Sequence, residues 1–174
     1  MNAVQILTLT MLLAAGGSDQ LLRSGKCPNP AVQANFDYLG KWFEIRKLPT
    51  TFQKGQCATA DYSLKSPGVV GVFNRELLSA LGTAKVKDPA EPAKLEVSFS
   101  DDVPPGPYWV LSTDYDSYTL IYGCTEYGLF HMELSWILSR KPTLPKETTE
   151  DLLSIFKRLN NDKKLKCKIC EFCQ

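Results

Sequence analysis

The chain has 174 residues, is 44% hydrophobic and carries Gly and Pro at 11 each, the profile of one globular domain with a core of its own. A formal net charge of +1 gives no long-range field to recruit nucleic acid, so no nucleic-acid partner is expected. The sequence contains no Asn-x-Ser/Thr triplet, and N-glycosylation is not expected either.

Ile6 to Ala15 is a short apolar run holding Leu7, Leu9, Met11, Leu12 and Leu13, with Gly16-Gly17 directly after it. It is too short to span a bilayer and small residues follow, so residues 1–17 read as a cleaved signal peptide and the protein as secreted and extracellular. The rest divides into a domain over 18–165 and a cysteine-rich tail over 166–174. Cys27, Cys57, Cys124, Cys167, Cys170 and Cys173 are even in number and meet an oxidising compartment, so disulfides are expected, with the connectivity left open by spacing alone. The tail spacing Cys167-x-x-Cys170-x-x-Cys173 also suits a metal, but it has no fourth ligand nearby and His131 is the sole histidine. No metal and no cofactor are expected. Lys163, Lys164, Lys166 and Lys168 read as a solvated tail.

Gly40 opens the first strand with freedom for a sharp turn, and Trp42, two residues on, points to the side of that turn. Short β-branched and aromatic segments separated by turn residues then predict strands at about 40–48, 56–64, 69–77, 82–87, 93–99, 108–113, 118–124 and 130–138. The fold class is therefore antiparallel all-β, and eight strands is the count that closes into a barrel wide enough for one small ligand. One helix follows, with Pro145 suited to a first turn, Glu147, Glu150 and Asp151 near its positive end, and Lys157 and Arg158 near the other. Leu152, Leu153, Phe156 and Leu159 make one apolar stripe, which should pack on the outside of the barrel.

Alternation sorts the strand faces. Ala58, Ala60, Tyr62 and Leu64 oppose Thr59, Asp61 and Ser63, and Val70, Val72 and Asn74 share a face. Leu95, Val97 and Phe99 oppose Lys94, Glu96 and Ser98. Met132, Leu134, Trp136 and Leu138 oppose His131, Glu133 and Ser135, which places His131 on the outer surface. The segments 40–48, 108–113 and 118–124 are apolar on both faces or mixed, and no face is assigned to them.

Three segments in this order, Gly40-Lys41-Trp42, Thr113-Asp114-Tyr115 and Trp136-Ile137-Leu138-Ser139-Arg140, resemble the signature segments of the lipocalins. The likeness extends to Cys27-Pro28-Asn29-Pro30, Leu48-Pro49-Thr50-Thr51-Phe52, Glu91 to Val97 and Pro107-Tyr108-Trp109, covering Cys27 to about Leu165. It implies an eight-stranded up-and-down barrel with the helix packed outside. It also implies a structural set of Gly40, Trp42, Thr113, Asp114, Tyr115 and Arg140, with Arg140 over the Trp42 ring in a cation–π contact. The disulfides it implies are Cys27–Cys124 and Cys57–Cys167, leaving Cys170 and Cys173 to pair with each other, with another chain or not at all.

The resemblance places Tyr62, Asn74, Phe99 and Trp136 on a ligand cavity, and alternation turns the same residues inward together with Ala60, Val72, Leu134 and Leu138. That interior is apolar and aromatic, its polar handles being the Tyr62 hydroxyl, the Asn74 amide and the Trp136 indole N–H. It suits a small hydrophobic ligand with one or two oxygen atoms, such as a steroid or fatty acid derivative. Burying about 300 Å² of apolar ligand area gains roughly 7 kcal/mol before association costs, whereas one hydrogen bond adds about 1 kcal/mol. Burial would set affinity and the polar groups orientation. Some lipocalins are enzymes that use a free cysteine thiol on an interior strand position. The interior faces assigned above contain no cysteine, so the expected role is transport without chemistry by a monomer. The mouth loop Ser100 to Gly106 carries Asp101 and Asp102 where its family relatives tend to be apolar, which weakens any membrane or lipoprotein contact. The alternatives are a bilin-binding pigment protein, or a surface interaction protein linked through its tail cysteines.

Overall fold

In the computed structural model, which describes residues 21–35, 39–48, 58–75, 79–159 and 168–169, all eight expected strands form. After a short N-terminal strand β1 (Leu21–Ser24) come β2 (Gly40–Lys47), β3 (Thr59–Ser66), β4 (Val69–Arg75) and β5 (Ser79–Val86). Then follow β6 (Lys94–Ser98), β7 (Gly106–Thr113), β8 (Tyr118–Tyr127) and β9 (Phe130–Ser139). From β2 onward each strand pairs antiparallel with the next, and β9 returns to pair with β2 from Phe43↔Ser139 to Lys47↔Trp136. That last ladder closes the sheet into a barrel.

β1 was not expected, nor was β10 (Lys168–Ile169), which pairs with Lys47 and Arg46. Leu21 to Ser24 is too short to show alternation. It becomes a strand because β2 leaves β9 at Trp136, and the backbone of β9 from Phe130 to Glu133 then needs another partner.

Antiparallel connection makes successive turns alternate between the two barrel ends. Turns 67–68, 87–93 and 114–117 lie at the end where Gly40 begins β2, and 99–105 and 128–129 lie at the other, the mouth. Inside, Trp42, Ala60, Tyr62, Val70, Val72, Ala84, Leu95, Val110, Ile121 and Leu138 form the buried cluster. Outside, the helix α1 (Lys146–Leu159) begins just past Pro145, whose carbonyl accepts from Thr149 N at 3.0 Å. Its Leu152 and Phe156 are buried against Leu120, Ile137, Leu48 and Tyr122, with Leu153 and Leu159 at the margins, as the apolar stripe predicts.

The Cys27–Cys124 disulfide is present and ties the N-terminal segment to β8. Residues 1–17, Cys57, Cys167, Cys170 and Cys173 lie outside the described residues. One inward assignment is corrected. Leu64 is 61% exposed, because β2 begins at Gly40 opposite Tyr62 and the β3–β4 hairpin runs on past the barrel wall.

Candidate functional site

The closed end is built by three sequence segments that meet. Gly40 holds φ at +90°, and a Cβ there would come within 3.3 Å of Arg140 Nη1. Glycine thus supplies both the backbone turn and the space. Arg140 lies 3.8 Å over the Trp42 ring and donates to the carbonyls of Leu39 at 2.8 Å and Tyr115 at 3.1 Å. Thr113 Oγ1 accepts from Tyr115 N at 2.9 Å and donates to Tyr118 O at 2.6 Å. Asp114 accepts from the amides of Ser117 and Tyr118 at 2.9 Å and from the Ser117 hydroxyl. Partial burial pushes its carboxyl up, but those hydrogen bonds outweigh it and hold the group below its usual range.

Above that plug, three aromatic side chains line the interior. The Tyr62 and Tyr108 hydroxyls meet at 2.6 Å, and the Tyr108 ring stacks toward Trp136 with centroids 6.3 Å apart. Burial pushes the Tyr62 phenol well above its usual value, helped by the Tyr108 charge and hydrogen bond. Register puts Asn74 between Ala60 and Ala80, on the inner face. Phe99 stands at the mouth, 45% exposed, its ring over Gly82, where a Cβ would meet Cδ1 at 2.6 Å. On β9 the inward Met132, Leu134 and Trp136 are only half-buried, while the outward His131, Glu133, Ser135 and Ile137 are buried. The wall is drier outside than inside.

A lipocalin-like domain model matches residues 36–166, most of the chain. The chain is a lipocalin. It is 46% identical over 166 residues to apolipoprotein D of Mus musculus, covering 86% of this chain and 88% of that one. It is 50% identical over 139 residues to apolipoprotein D of Rattus norvegicus, covering 74% of each. The bilin-binding protein of Pieris brassicae is 29% identical over 152 residues, at 80% of each chain. Among solved structures, insecticyanin from the tobacco hornworm Manduca sexta superposes with a TM-score of 0.73 at 25% identity, over 89% and 90% of the two chains. Lipocalins bind small hydrophobic ligands.

Tyr108 is a lipocalin wall residue that sequence reasoning left unassigned. Its neighbours Trp109 and Leu111 are as apolar as Val110, so alternation in β7 gave no sign, and a bulge between Val110 and Ser112 blurs it further. A second unassigned pair sits on β2. Glu44 and Lys47 are three apart and in a regular strand would face opposite ways. A bulge at Ile45 turns both inward, Glu44 opposite Leu138 and Lys47 opposite Trp136, and their side chains meet at 3.3 Å.

The surface reading of His131 is corrected. It does face out of the barrel, but it is 5% exposed because β1 covers it, and its Nδ1 donates to the Gly25 carbonyl at 2.9 Å. Glu133 beside it is fully buried, accepting from Tyr122 Oη at 2.9 Å and pairing with Arg23 Nε at 2.8 Å. This polar group fastens the N-terminal segment to the lipocalin wall.

Proposed function

We infer that this chain is a secreted, monomeric carrier that holds one small hydrophobic molecule, a steroid, fatty acid derivative or similar lipid, in the barrel without chemistry on it. The observation that carries this reading is the inverted burial of β9, whose inward Leu134 and Trp136 keep contact with open space while the outward side is packed. Tyr62, Asn74, Phe99, Trp136, Ala60, Val72, Leu134 and Leu138 are the proposed contacts, joined now by Tyr108. A signal peptide over 1–17 and a Cys57–Cys167 disulfide belong to the same reading.

Contact with a membrane or lipoprotein draws support from exposed Val103, Leu129 and Phe130 at the mouth and is opposed by Asp101 and Asp102 in the same rim. The flat faces of Tyr62, Tyr108 and Trp136 favour bilin as the alternative cargo, the ligand in the name of the Pieris brassicae relative.

The test is native mass spectrometry of the secreted protein, with tryptophan quenching by a steroid, fatty acid and biliverdin panel. A copurifying lipid near one per chain, or saturable quenching lost in Trp136→Phe, is expected. No bound molecule and no quenching by any panel member would mean a filled barrel and end the carrier reading.

A further inference from the structure

Among the described residues, the Glu44–Lys47 pair is the one ion pair turned into the interior, and an apolar carrier does not require it. Glu44 is 2% and Lys47 8% exposed, so both charges are largely withdrawn from water. As a stabilising device a buried ion pair is poor, since desolvation offsets most of its attraction and an apolar pair of similar size often does as well. By register, the remaining Asp, Glu, Lys and Arg residues of the described barrel strands are turned outward, including Lys41, Asp61, Lys85, Lys94 and Glu96. The inner wall therefore carries one strong dipole of zero net charge, with Lys47 beside Trp136 and Glu44 beside Leu138.

We propose that the Glu44–Lys47 pair selects the ligand's head group, favouring neutral oxygen-bearing lipophiles (esters, ketones and alcohols) over the same chain ending in a carboxylate. This rests on the carrier reading. A neutral carbonyl or hydroxyl is attracted to the dipole and adds no charge to the interior. A carboxylate must shed its water, a far larger cost than for a neutral group. Once inside, it meets the Glu44 charge at nearly the range at which it meets Lys47, because the two side chains are 3.3 Å apart. Lys47 is already balanced by Glu44, so no net positive charge is left to offset the incoming one. Asp101 and Asp102, exposed on the mouth loop, add repulsion of the same sign along the approach.

The experiment measures binding of cis-parinaric acid and its methyl ester by probe fluorescence at pH 7.4, on the full chain with its disulfides intact. The wild type is expected to hold the ester at least severalfold more tightly than the acid. Glu44→Gln, which keeps shape and removes the negative charge, is expected to shift the acid-to-ester ratio toward the acid by tenfold or more. Equal affinities in the wild type, a wild-type preference for the acid, or a ratio unmoved by Glu44→Gln would each overturn the selector. The wild-type ratio needs no variant, so it decides the matter even if Glu44→Gln does not fold. Failure of the wild type to bind either probe would instead sink the carrier reading, and the selector with it.

Discussion

The Tyr62 and Tyr108 hydroxyls meet at 2.6 Å across the barrel interior, joining β3 to β7, two strands that share no ladder. One hydroxyl donates and the other accepts, so each satisfies a polar atom that an apolar interior would otherwise strand. On the carrier reading proposed above, this pair is the polar partner offered to an oxygen-bearing ligand. It also sets the spacing of the aromatic wall, since Tyr108 in turn stacks toward Trp136.

Alkaline stability should report that burial. Burial, then the Tyr108 charge and hydrogen bond, raise the Tyr62 phenol well above its usual value. Burial, then the Glu133 charge and hydrogen bond, raise Tyr122 as well. Unfolded tyrosines ionise near pH 10, so the stabilisation is fully present below that value and is lost as pH rises toward the folded values. Titration at 295 nm should therefore show Tyr62 and Tyr122 ionising only with unfolding, and Tyr62→Phe should remove one of these late steps. Ionisation of Tyr62 and Tyr122 in the folded protein would contradict the assignment.

Arg140→Ala should cost about 2 to 4 kcal/mol in urea unfolding. The guanidinium stacks on Trp42 and donates to Leu39 O, Lys41 O and Tyr115 O, and charged hydrogen bonds and a desolvated cation–π contact are each worth about 1 to 3 kcal/mol. Loss of the lid over Trp42 should also shift its emission to the red. A change under about 0.5 kcal/mol, the range of an ordinary surface substitution, would make Arg140 a solvated charge.

Removing Glu133 alone should be worse than removing its cluster. Glu133→Leu takes away the carboxylate that Arg23 Nε meets at 2.8 Å and the acceptor of the Tyr122 hydroxyl, and should cost roughly 3 to 5 kcal/mol. Arg23→Met combined with Glu133→Leu and Tyr122→Phe should recover part of that loss, because the guanidinium and the phenol hydroxyl go with the carboxylate. The buried His131 Nε2, 3.6 Å from Glu133, still loses its neighbour. Strict additivity of the three changes would show that the groups are not coupled.

What could be read from the sequence follows period and motif. The strands with clean alternation, around Ala60 and Tyr62, Val70 and Val72, and Leu95 and Val97, face as alternation predicts. The Gly40, Trp42 and Arg140 set is legible because each residue has one physical task at the closed end. Legibility fails where the period is broken or the environment is not local. A bulge at Ile45 hides Glu44 and Lys47, and one between Val110 and Ser112 obscures the strand that carries Tyr108. His131 and Glu133 face outward as alternation requires, yet they are buried by β1, from more than a hundred residues away in the chain, and no window of sequence around them carries that information.

The Cys27–Cys124 bridge should hold that N-terminal cover in place. It closes a loop of 97 residues, for which the chain-entropy argument gives about 4 to 5 kcal/mol of stabilisation, with strain and residual unfolded structure able to reduce it. Cys27→Ser with Cys124→Ser should lower the thermal midpoint accordingly. The larger local effect should fall at β1. Its four ladder pairs to β9, the Arg23–Glu133 contact and the His131–Gly25 hydrogen bond then lose the covalent anchor that follows them at Cys27. Amide exchange at Leu22 to Gly25 and at the β9 positions from Phe130 to Glu133 should accelerate well beyond the global change. Uniform acceleration across the barrel would mean that the bridge stabilises the whole fold without any particular hold on its N-terminal strand.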